Sequence, residues 1–471
     1  SFPVSERHRG VELQTKVDEY LQVINDCRLP GKFKVWIAQF ALLPRIMWPL
    51  AIYEIALSRV EAIKMKISKA VRKSLGVPKS LCSGAFYLSS APLQFPLSSV
   101  VEEYKVAKVR TTLTESKDQR IRENPPELAV GKKWNLEQCI DLAEIMAKHR
   151  EVVGMVQDSR MSLGGRKTRP RLWSEVGARE RRKLKVDEVR VLEEERRMAE
   201  AAQQSQQGRW LNWNGVEKLE LTWSSIWERS QGSLINLILM VYNVYPSSPN
   251  LVRWNLSRGA HCNLCGMYAS LHHILVACPV ALAKGWYTCR HNRVLEVVIK
   301  ALQLAKVPER RKRKINFVAE GSATCQKARK VNRVNTRQWE VRVDKPLPEH
   351  VVISNLRPDL VLLDVRSKRA LLGELTVPWE ENVQEAHERK LEKYAELQVE
   401  INSAGWDSEV LPFEIGCRGF VCTSARVFLR KAGVERGQTV LNEMAKAAEE
   451  GSAWIIRTWR RHHLASLNEV A

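Results

Sequence analysis

The sequence lacks the hydrophobic segments that direct a protein into or across a membrane. Its 471 residues contain no apolar run of about 18 or more residues free of charge. The first residues, SFPVSERHRGVELQTKV, have no apolar core of the kind found in secretory signals. No initiator methionine is present, so we expect a piece of a larger protein. These absences argue against a membrane-spanning or secreted class.

Acidic residues are too few to balance the basic ones. The chain has 75 lysines and arginines against 53 aspartates and glutamates, a formal net charge of +22. Such an excess predicts a polyanionic partner, with nucleic acid first and an anionic membrane surface second. The basic run Arg310–Lys314 is compatible with a nuclear address, a DNA-facing loop or a solvated charge cluster.

Cysteine is too scarce for a disulfide framework, with ten residues in the whole chain. Three of the cysteines form a series with one histidine: Cys262, Cys265, His273 and Cys278. A close cysteine pair followed by a histidine and a cysteine about one turn apart predicts a tetrahedral zinc site. His272 is the rival ligand, and incidental buried thiols are the alternative.

Composition divides the chain into four predicted segments. Helical periodicity dominates residues 1–157, and residues 158–209 are rich in charge and predict a linker or a basic arm. Residues 210–285 predict a helical region that contains the zinc motif at 262–278. Residues 286–471 predict a separate domain. The 44% hydrophobic content is enough for folded cores in these segments.

The segment RPDLVLLDVRSKRALLGELTVPWE, residues 357–380, predicts a β-hairpin, with a further strand at HVVIS, 350–354. Asp359 precedes the first hairpin strand and Glu374 lies near the end of the second. Side chains in these places are neighbours across a hairpin. Adjacent carboxylates repel unless a cation offsets their charge, and Mg²⁺ prefers oxygen ligands. Ordinary turn and surface chemistry is the alternative.

A helix is predicted directly after the hairpin, from residue 380 to residue 401. Tyr394 belongs to its apolar stripe, and Lys390 borders that stripe with Lys393 close behind. A lysine beside two metal-bound carboxylates can position a water molecule or neutralise charge on a scissile phosphate. Spacing alone is a weak signal for this chemistry.

Five features occur in an order that resembles one protein family. They are the cysteine series, RHNRV (290–294), Arg-Pro-Asp at 357–359, Glu374 and RKLEKY (389–394). They are similar to the C-terminal half of non-LTR retrotransposon proteins with a restriction-enzyme-like endonuclease. Residues 29–54 and 68–81 also resemble the thumb region behind the reverse-transcriptase palm of that group.

The resemblance implies an α+β multidomain chain with a thumb-like helical N-terminal region, a small Cys3His zinc knuckle and a C-terminal α/β nuclease core of the PD-(D/E)xK type. It implies that Asp359 and Glu374 bind catalytic Mg²⁺, that Lys390 orients the water, and that Lys393 and Tyr394 complete the helix signature. Cys262, Cys265, His273 and Cys278 would bind structural Zn²⁺.

The implied function is nicking of target DNA in the nucleus. The freed 3′-hydroxyl would prime copying of element RNA by an upstream reverse-transcriptase domain. Two departures qualify this reading. Thr376 stands where the wider nuclease pattern has a lysine, so the lysine must come from the helix, as Lys390 or Lys393. No Asp-Asp pair of a polymerase palm is found, so we expect no polymerase activity. The alternative is a non-catalytic, zinc-containing nucleic-acid-binding module or an inactive, decayed copy.

Overall fold

The computed structural model describes residues 6–115, 133–160, 173–305 and 339–468. These residues form two compact units, whose segments are Ser1–Leu211 with Leu219–Tyr245, and Asn212–Lys218 with Pro246–Ala471. The architecture is mixed α+β, with helices and two small sheets. The basic run Arg310–Lys314 and residues 161–172 of the predicted arm lie outside the described residues.

The first unit is built mainly from helices. They are α1 (Glu6–Asp26), α2 (Gly31–Ile37), α3 (Leu43–Ile52), α4 (Leu57–Leu75), α5 (Val100–Glu115), α6 (Leu136–Arg160), α7 (Ala178–Ala202), α8 (Trp223–Glu228) and α9 (Gln231–Val241). Two short strands, β1 (Leu93–Gln94) and β2 (Leu219–Glu220), pair in parallel. Helix α4 ends at Gly76, which has a left-handed backbone with φ of 71°, and Val77 N–H donates to Arg72 O at 3.1 Å.

The stretch Gly31–Ile52 is apolar, and it is helical throughout. Pro44 and Pro49 do not interrupt it: Pro44 lies in the first turn of α3, directly after a π-helical turn (Ala38–Leu42), and Pro49 lies inside α3. By length and composition alone this is the one described helix that could cross a membrane, and 33% of its most apolar window is buried. Its buried residues Leu42, Leu43, Ile46 and Leu50 belong to the core of the first unit. Packing inside the unit therefore accounts for part of its apolar character.

The predicted arm contains a packed helix. In α7, Val186 and Val189 enter the same core as the N-terminal helices. Its charges pair with α5, where Arg190 contacts Glu102 and Glu103 at 2.6 and 2.9 Å. The sequence suggested an arm because most residues of α7 are charged. The structure differs because those charges are neutralised by a neighbouring helix.

The second unit contains a four-stranded sheet and the remaining helices. Its elements are α10 (Ser248–Arg253), α11 (Pro279–Ala283), α12 (Trp286–Ala305), β3 (Glu340–Val343), β4 (Leu360–Asp364), β5 (Arg369–Thr376), α13 (Val383–Ser403), β6 (Asp407–Glu414), α14 (Thr423–Ala432) and α15 (Gly437–Asn468). The strand order is β3-β4-β5-β6, antiparallel except for the parallel pair β5–β6.

Both faces of this sheet are covered. Because strand side chains alternate between faces, Val361 and Leu372 pack under α13 beside Tyr394. Leu371 and Phe413 point to the opposite face and pack with α12, α14 and α15. The carboxyl end of β5 is thereby held between two helical layers.

The predicted hairpin is confirmed, with Leu362 of β4 opposite Leu371 of β5. The strand predicted at His350–Ser354 is wrong, because these residues form a turn and an irregular segment. The place beside β4 is taken by Glu340–Val343, and Val351 packs instead into the core under α13.

Gly373 fixes how closely β5 approaches α14. A Cβ at this position would lie 2.6 Å from Phe428 Cε2, and Phe428 is stacked on Phe413 with ring centroids 4.1 Å apart. We therefore expect Gly373→Ala to lower the free energy of unfolding by about 1–3 kcal/mol through overpacking. Urea denaturation measures this change. Gly437→Ala is the matched control, because a Cβ there meets nothing within 4 Å; equal stability of the two variants would contradict the packing argument.

Candidate functional site

Asp359 and Glu374 meet where β4 begins and β5 ends. The Asp359 N–H donates to Glu374 Oε2 at 3.1 Å, and the Leu375 N–H donates to Asp359 Oδ2 at 2.8 Å. The hairpin register explains this arrangement, since Leu360 lies opposite Gly373. Glu374 is 4% exposed, so a buried carboxylate stands beside a partly exposed one.

Helix α13 brings three further side chains to Glu374. Lys390 Nζ donates to Glu374 Oε1 at 2.6 Å, and the Tyr394 hydroxyl donates to Glu374 Oε2 at 3.0 Å. Lys393 Nζ donates to the Tyr394 hydroxyl at 2.8 Å and lies 3.5 Å from Glu374 Oε1. The (i, i+4) spacing of Lys390 and Tyr394 places both on the helix face that covers the sheet. All five residues predicted from sequence are therefore neighbours.

The side chains around Glu374 differ in their pKa and in their exposure to solvent. Burial and the adjacent Glu374 carboxylate raise the pKa of the Tyr394 hydroxyl above its usual range. Tyr394 consequently stays protonated and acts as a hydrogen-bond donor. Lys390 is the less exposed of the two lysines, with 20% of its side chain exposed against 45% for Lys393.

His291 is a member of this group that the sequence reasoning did not assign. Its Nε2 lies 3.2 Å from both Asp359 Oδ2 and Leu375 O. Burial is the largest single influence and works to lower the pKa of His291. The hydrogen bond with Asp359, the charge of that carboxylate, and the hydrogen bonds with Asn292 and Leu375 together outweigh burial, so the pKa is raised. The motif RHNRV contained this residue, yet only tertiary packing brings the start of α12 to the end of β5.

A second group lies in the zinc motif. Among the described residues, one set of three or more Cys, His, Asp or Glu donors is close enough to share an ion: Cys262, Cys265, His273 and Cys278, whose donor atoms lie within 4.8 Å of one another. Donors of a tetrahedral zinc ion are about 3.3–3.8 Å apart. Here Cys265 Sγ lies 3.3 Å from His273 Nε2 and 3.9 Å from Cys278 Sγ. These four residues could hold a zinc ion.

Local backbone structure forms the cluster. Gly266 has φ of 74°, and its N–H donates to Cys262 O at 2.7 Å, which closes the turn between the first two cysteines. A π-helical turn, His273–Ala277, presents the other pair. The rival ligand His272 lies outside the cluster and packs edge-on against Trp379, with ring centroids 5.3 Å apart.

Protonation differs among the members of the cysteine cluster. Burial and the neighbouring His272 lower the pKa of His273, which favours the neutral imidazole that ligates metals. Burial raises the pKa of the Cys278 thiol to about 11. At Cys262 burial also works to raise the pKa, but hydrogen bonds from Trp459 and backbone N–H groups outweigh it and lower that pKa. Metal binding would therefore release protons.

Arg290 connects the two groups within the second unit. Its guanidinium is buried and donates to Leu275 O in the π-helical turn at 3.0 Å and to Val377 O just after β5 at 3.2 Å. A third bond reaches Ser452 of α15 at 3.0 Å. Because Arg290 precedes His291, the same turn of α12 contacts both the cysteine cluster's helix and the carboxylates.

No protein-family model matches this chain, and no curated protein matches it.

Removal of one cysteine tests the four-donor cluster. We expect Cys265→Ser to lose zinc and to unfold at a lower temperature, since a structural zinc ion contributes directly to folding. Native mass spectrometry and thermal denaturation measure the two effects. Cys289→Ser is the control, because Cys289 lies on α12 outside the cluster. Zinc retained at one ion per chain in Cys265→Ser would exclude this residue as a ligand.

Proposed function

We propose that the chain is the metal-dependent endonuclease portion of a non-LTR retrotransposon protein, which nicks target DNA to prime reverse transcription. The observation that supports this most is the convergence of Asp359, Glu374, Lys390 and Tyr394 on one sheet end. Two carboxylates, a lysine and a hydroxyl at hydrogen-bond distance are groups that a metal-dependent site for phosphodiester hydrolysis can use.

The donor set fits Mg²⁺. Asp359 Oδ2 and Leu375 O lie at the same strand end, each 3.2 Å from His291 Nε2. Glu374 brings a further carboxylate to the same strand end. Asp359 and Glu374 would hold the ion through oxygen atoms, which Mg²⁺ prefers. When bound, the ion supplies Lewis acidity and a more acidic water molecule.

The protein's own side chains would orient the attacking water and the carboxylates, and would neutralise charge on the phosphate. Lys390 is a cation held in place by Glu374, so it can position the attacking water or offset charge on the phosphate. Tyr394, kept protonated, fixes the Glu374 carboxylate. His291 would hold Asp359 in its orientation. Lys393 supports Tyr394.

The remaining parts are assigned by the same proposal. The sheet with α12–α15 would be a PD-(D/E)xK-type core, the Cys3His cluster a structural zinc knuckle, and the N-terminal helices a thumb-like region. Partners would be target DNA, element RNA and an upstream reverse-transcriptase domain, all in the nucleus and without a membrane. The net charge of +22 suits such partners.

One observation favours a second candidate, a non-catalytic nucleic-acid-binding module. Glu374 already accepts hydrogen bonds from the Asp359 N–H, Lys390 and Tyr394, so its charge is offset without a metal ion. In that case the carboxylates would be structural, and the chain would bind nucleic acid without cutting it.

A plasmid-nicking assay with Mg²⁺ separates the two candidates. We expect the unchanged chain to nick the plasmid. For Asp359→Asn we expect a nicking rate lower by about 100-fold or more, because one metal-binding charge is removed. Asp407→Asn is the control, since Asp407 is 78% exposed at the other end of the sheet. Equal nicking by Asp359→Asn would remove Asp359 from the mechanism. DNA binding without nicking by any protein would support the binding module.

The two lysines are expected to differ. Lys390→Met should reduce nicking more than Lys393→Met, because Lys390 makes the closer contact with Glu374, 2.6 Å against 3.5 Å. Single-turnover rates at saturating DNA measure the difference. A larger loss in Lys393→Met would assign the catalytic role to that residue instead.

A further inference from the structure

The second unit contains a cavity that the proposed cutting site does not use. Its volume is about 390 Å³. Ligand pockets commonly have volumes of about 300–1,000 Å³. It lies between the start of α13, the edge strand β6 and the start of α14. The segment around Asn214, which belongs to the same unit, forms part of its border.

The lining has an apolar wall and a polar end. Side chains from three elements, Val383, Val410, Pro412 and Val427, supply the wall. The polar side chains of the lining supply the polar end: Asn214, Gln384, His387, Glu414, Thr423 and Ser424. A weakly polar group would pack on the wall, while a negatively charged group would be drawn to the histidine.

His387 is held in one orientation by a buried acid. Its Nδ1 lies 3.1 Å from Glu414 Oε1, and the Ser424 hydroxyl donates to the same carboxylate. Glu414 also borders the cavity, but its side chain is fully buried whereas 35% of the His387 side chain is exposed, so the ring is the more accessible of the two groups. With Nδ1 turned to Glu414, Nε2 is the donor left for a ligand. The carboxylate favours the imidazolium form.

The cavity is close to the proposed cutting site. Glu374 is the register partner of Pro412, and Thr376 is the partner of Glu414. Glu414 therefore lies two residues further along the neighbouring strand on the same sheet face, about 8 Å from Glu374 between Cα atoms. His387 and Lys390 are three residues apart on α13, hence on one helix face.

We propose that this cavity binds one unpaired nucleotide of a nucleic-acid strand, with its base against the apolar wall and its phosphate on His387. The inference depends on the proposed function only for the identity of the ligand. The lining by itself suits a ligand with a weakly polar part and an anionic part. A nucleotide meets both requirements and would lie next to the strand that is cut.

Nucleotide binding without Mg²⁺ tests this, because no cutting is needed. The probes are the four 2′-deoxynucleoside monophosphates and the matching nucleosides, observed by saturation-transfer NMR on the whole chain. We expect at least one monophosphate to bind, and to bind about tenfold more tightly than its nucleoside because of the charged hydrogen bond. Val427→Phe should weaken both about tenfold or more by filling the cavity. Val399→Phe, at a residue 65% exposed on α13, is the control.

His387→Gln should bring the monophosphate down to the affinity of its nucleoside, whereas His350→Gln should leave both unchanged. Hydrogen bonding with Glu414 raises the pKa of His387, and burial opposes it less strongly. Glu414 on β6 and Glu388 on α13 are the charged groups that act on this ring; α14 contributes the Ser424 hydroxyl and the segment around residue 214 an amide. Monophosphate affinity should therefore fall as pH rises through the raised pKa, and nucleoside affinity should not.

Two outcomes overturn the proposal: no monophosphate binds the unchanged chain, or Val427→Phe binds it as tightly. Circular dichroism checks the fold of each variant, and His387→Gln gives the second reading if Val427→Phe does not fold. Binding that persists in a chain that nicks no plasmid would reject the endonuclease and keep the nucleotide site. Nicking without nucleotide binding would keep the endonuclease and reject the nucleotide site.

Discussion

The buried carboxylate of Glu374 ties the sheet of the second unit to the helix that covers it. It accepts one hydrogen bond from the strand β4 end, at the Asp359 N–H, and two from α13, at Lys390 and Tyr394. An isolated buried charge would be costly, and these partners offset that cost. The same contacts that stabilise the carboxylate therefore bring a lysine, a phenol and a second acid to one place. A change at Glu374 would leave buried donors on two elements without their acceptor.

A single turn of α12 relates this group to the cysteine cluster. Arg290 bonds the π-helical turn that carries His273 and the backbone just after β5, while His291 contacts Asp359. Gly451 of α15 leaves room for this arrangement, because a Cβ there would lie 2.7 Å from Arg290 Cγ. A metal ion bound by the cysteine cluster would thus stabilise the turn of α12 whose His291 contacts Asp359. The Cys3His cluster and the proposed cutting site are in this sense one structural assembly.

Local patterns predicted the parts of the site that depend on short-range spacing. The hairpin register brings Asp359 to Glu374, and the (i, i+4) repeat brings Lys390 and Tyr394 to one face, so sequence reasoning found these residues. It could not assign His291, because 68 residues separate it from Asp359. It also placed a strand at 350–354, since alternating apolar residues fit both a strand and an irregular segment that packs into a core. The charged helix α7 reads as solvated until its partners on α5 are known.

The central claim is that two acids separated along the chain hold one divalent cation. Mn²⁺ substitutes for Mg²⁺ at oxygen-rich sites and can be located by anomalous scattering from crystals. If the two acids hold the cation, we expect an anomalous peak bounded by the Asp359 and Glu374 carboxylates and the Leu375 carbonyl. We expect that peak to be lost in Glu374→Gln. Crystals grown with Mn²⁺ that show Lys390 still bonded to Glu374 and no metal at this position would contradict it.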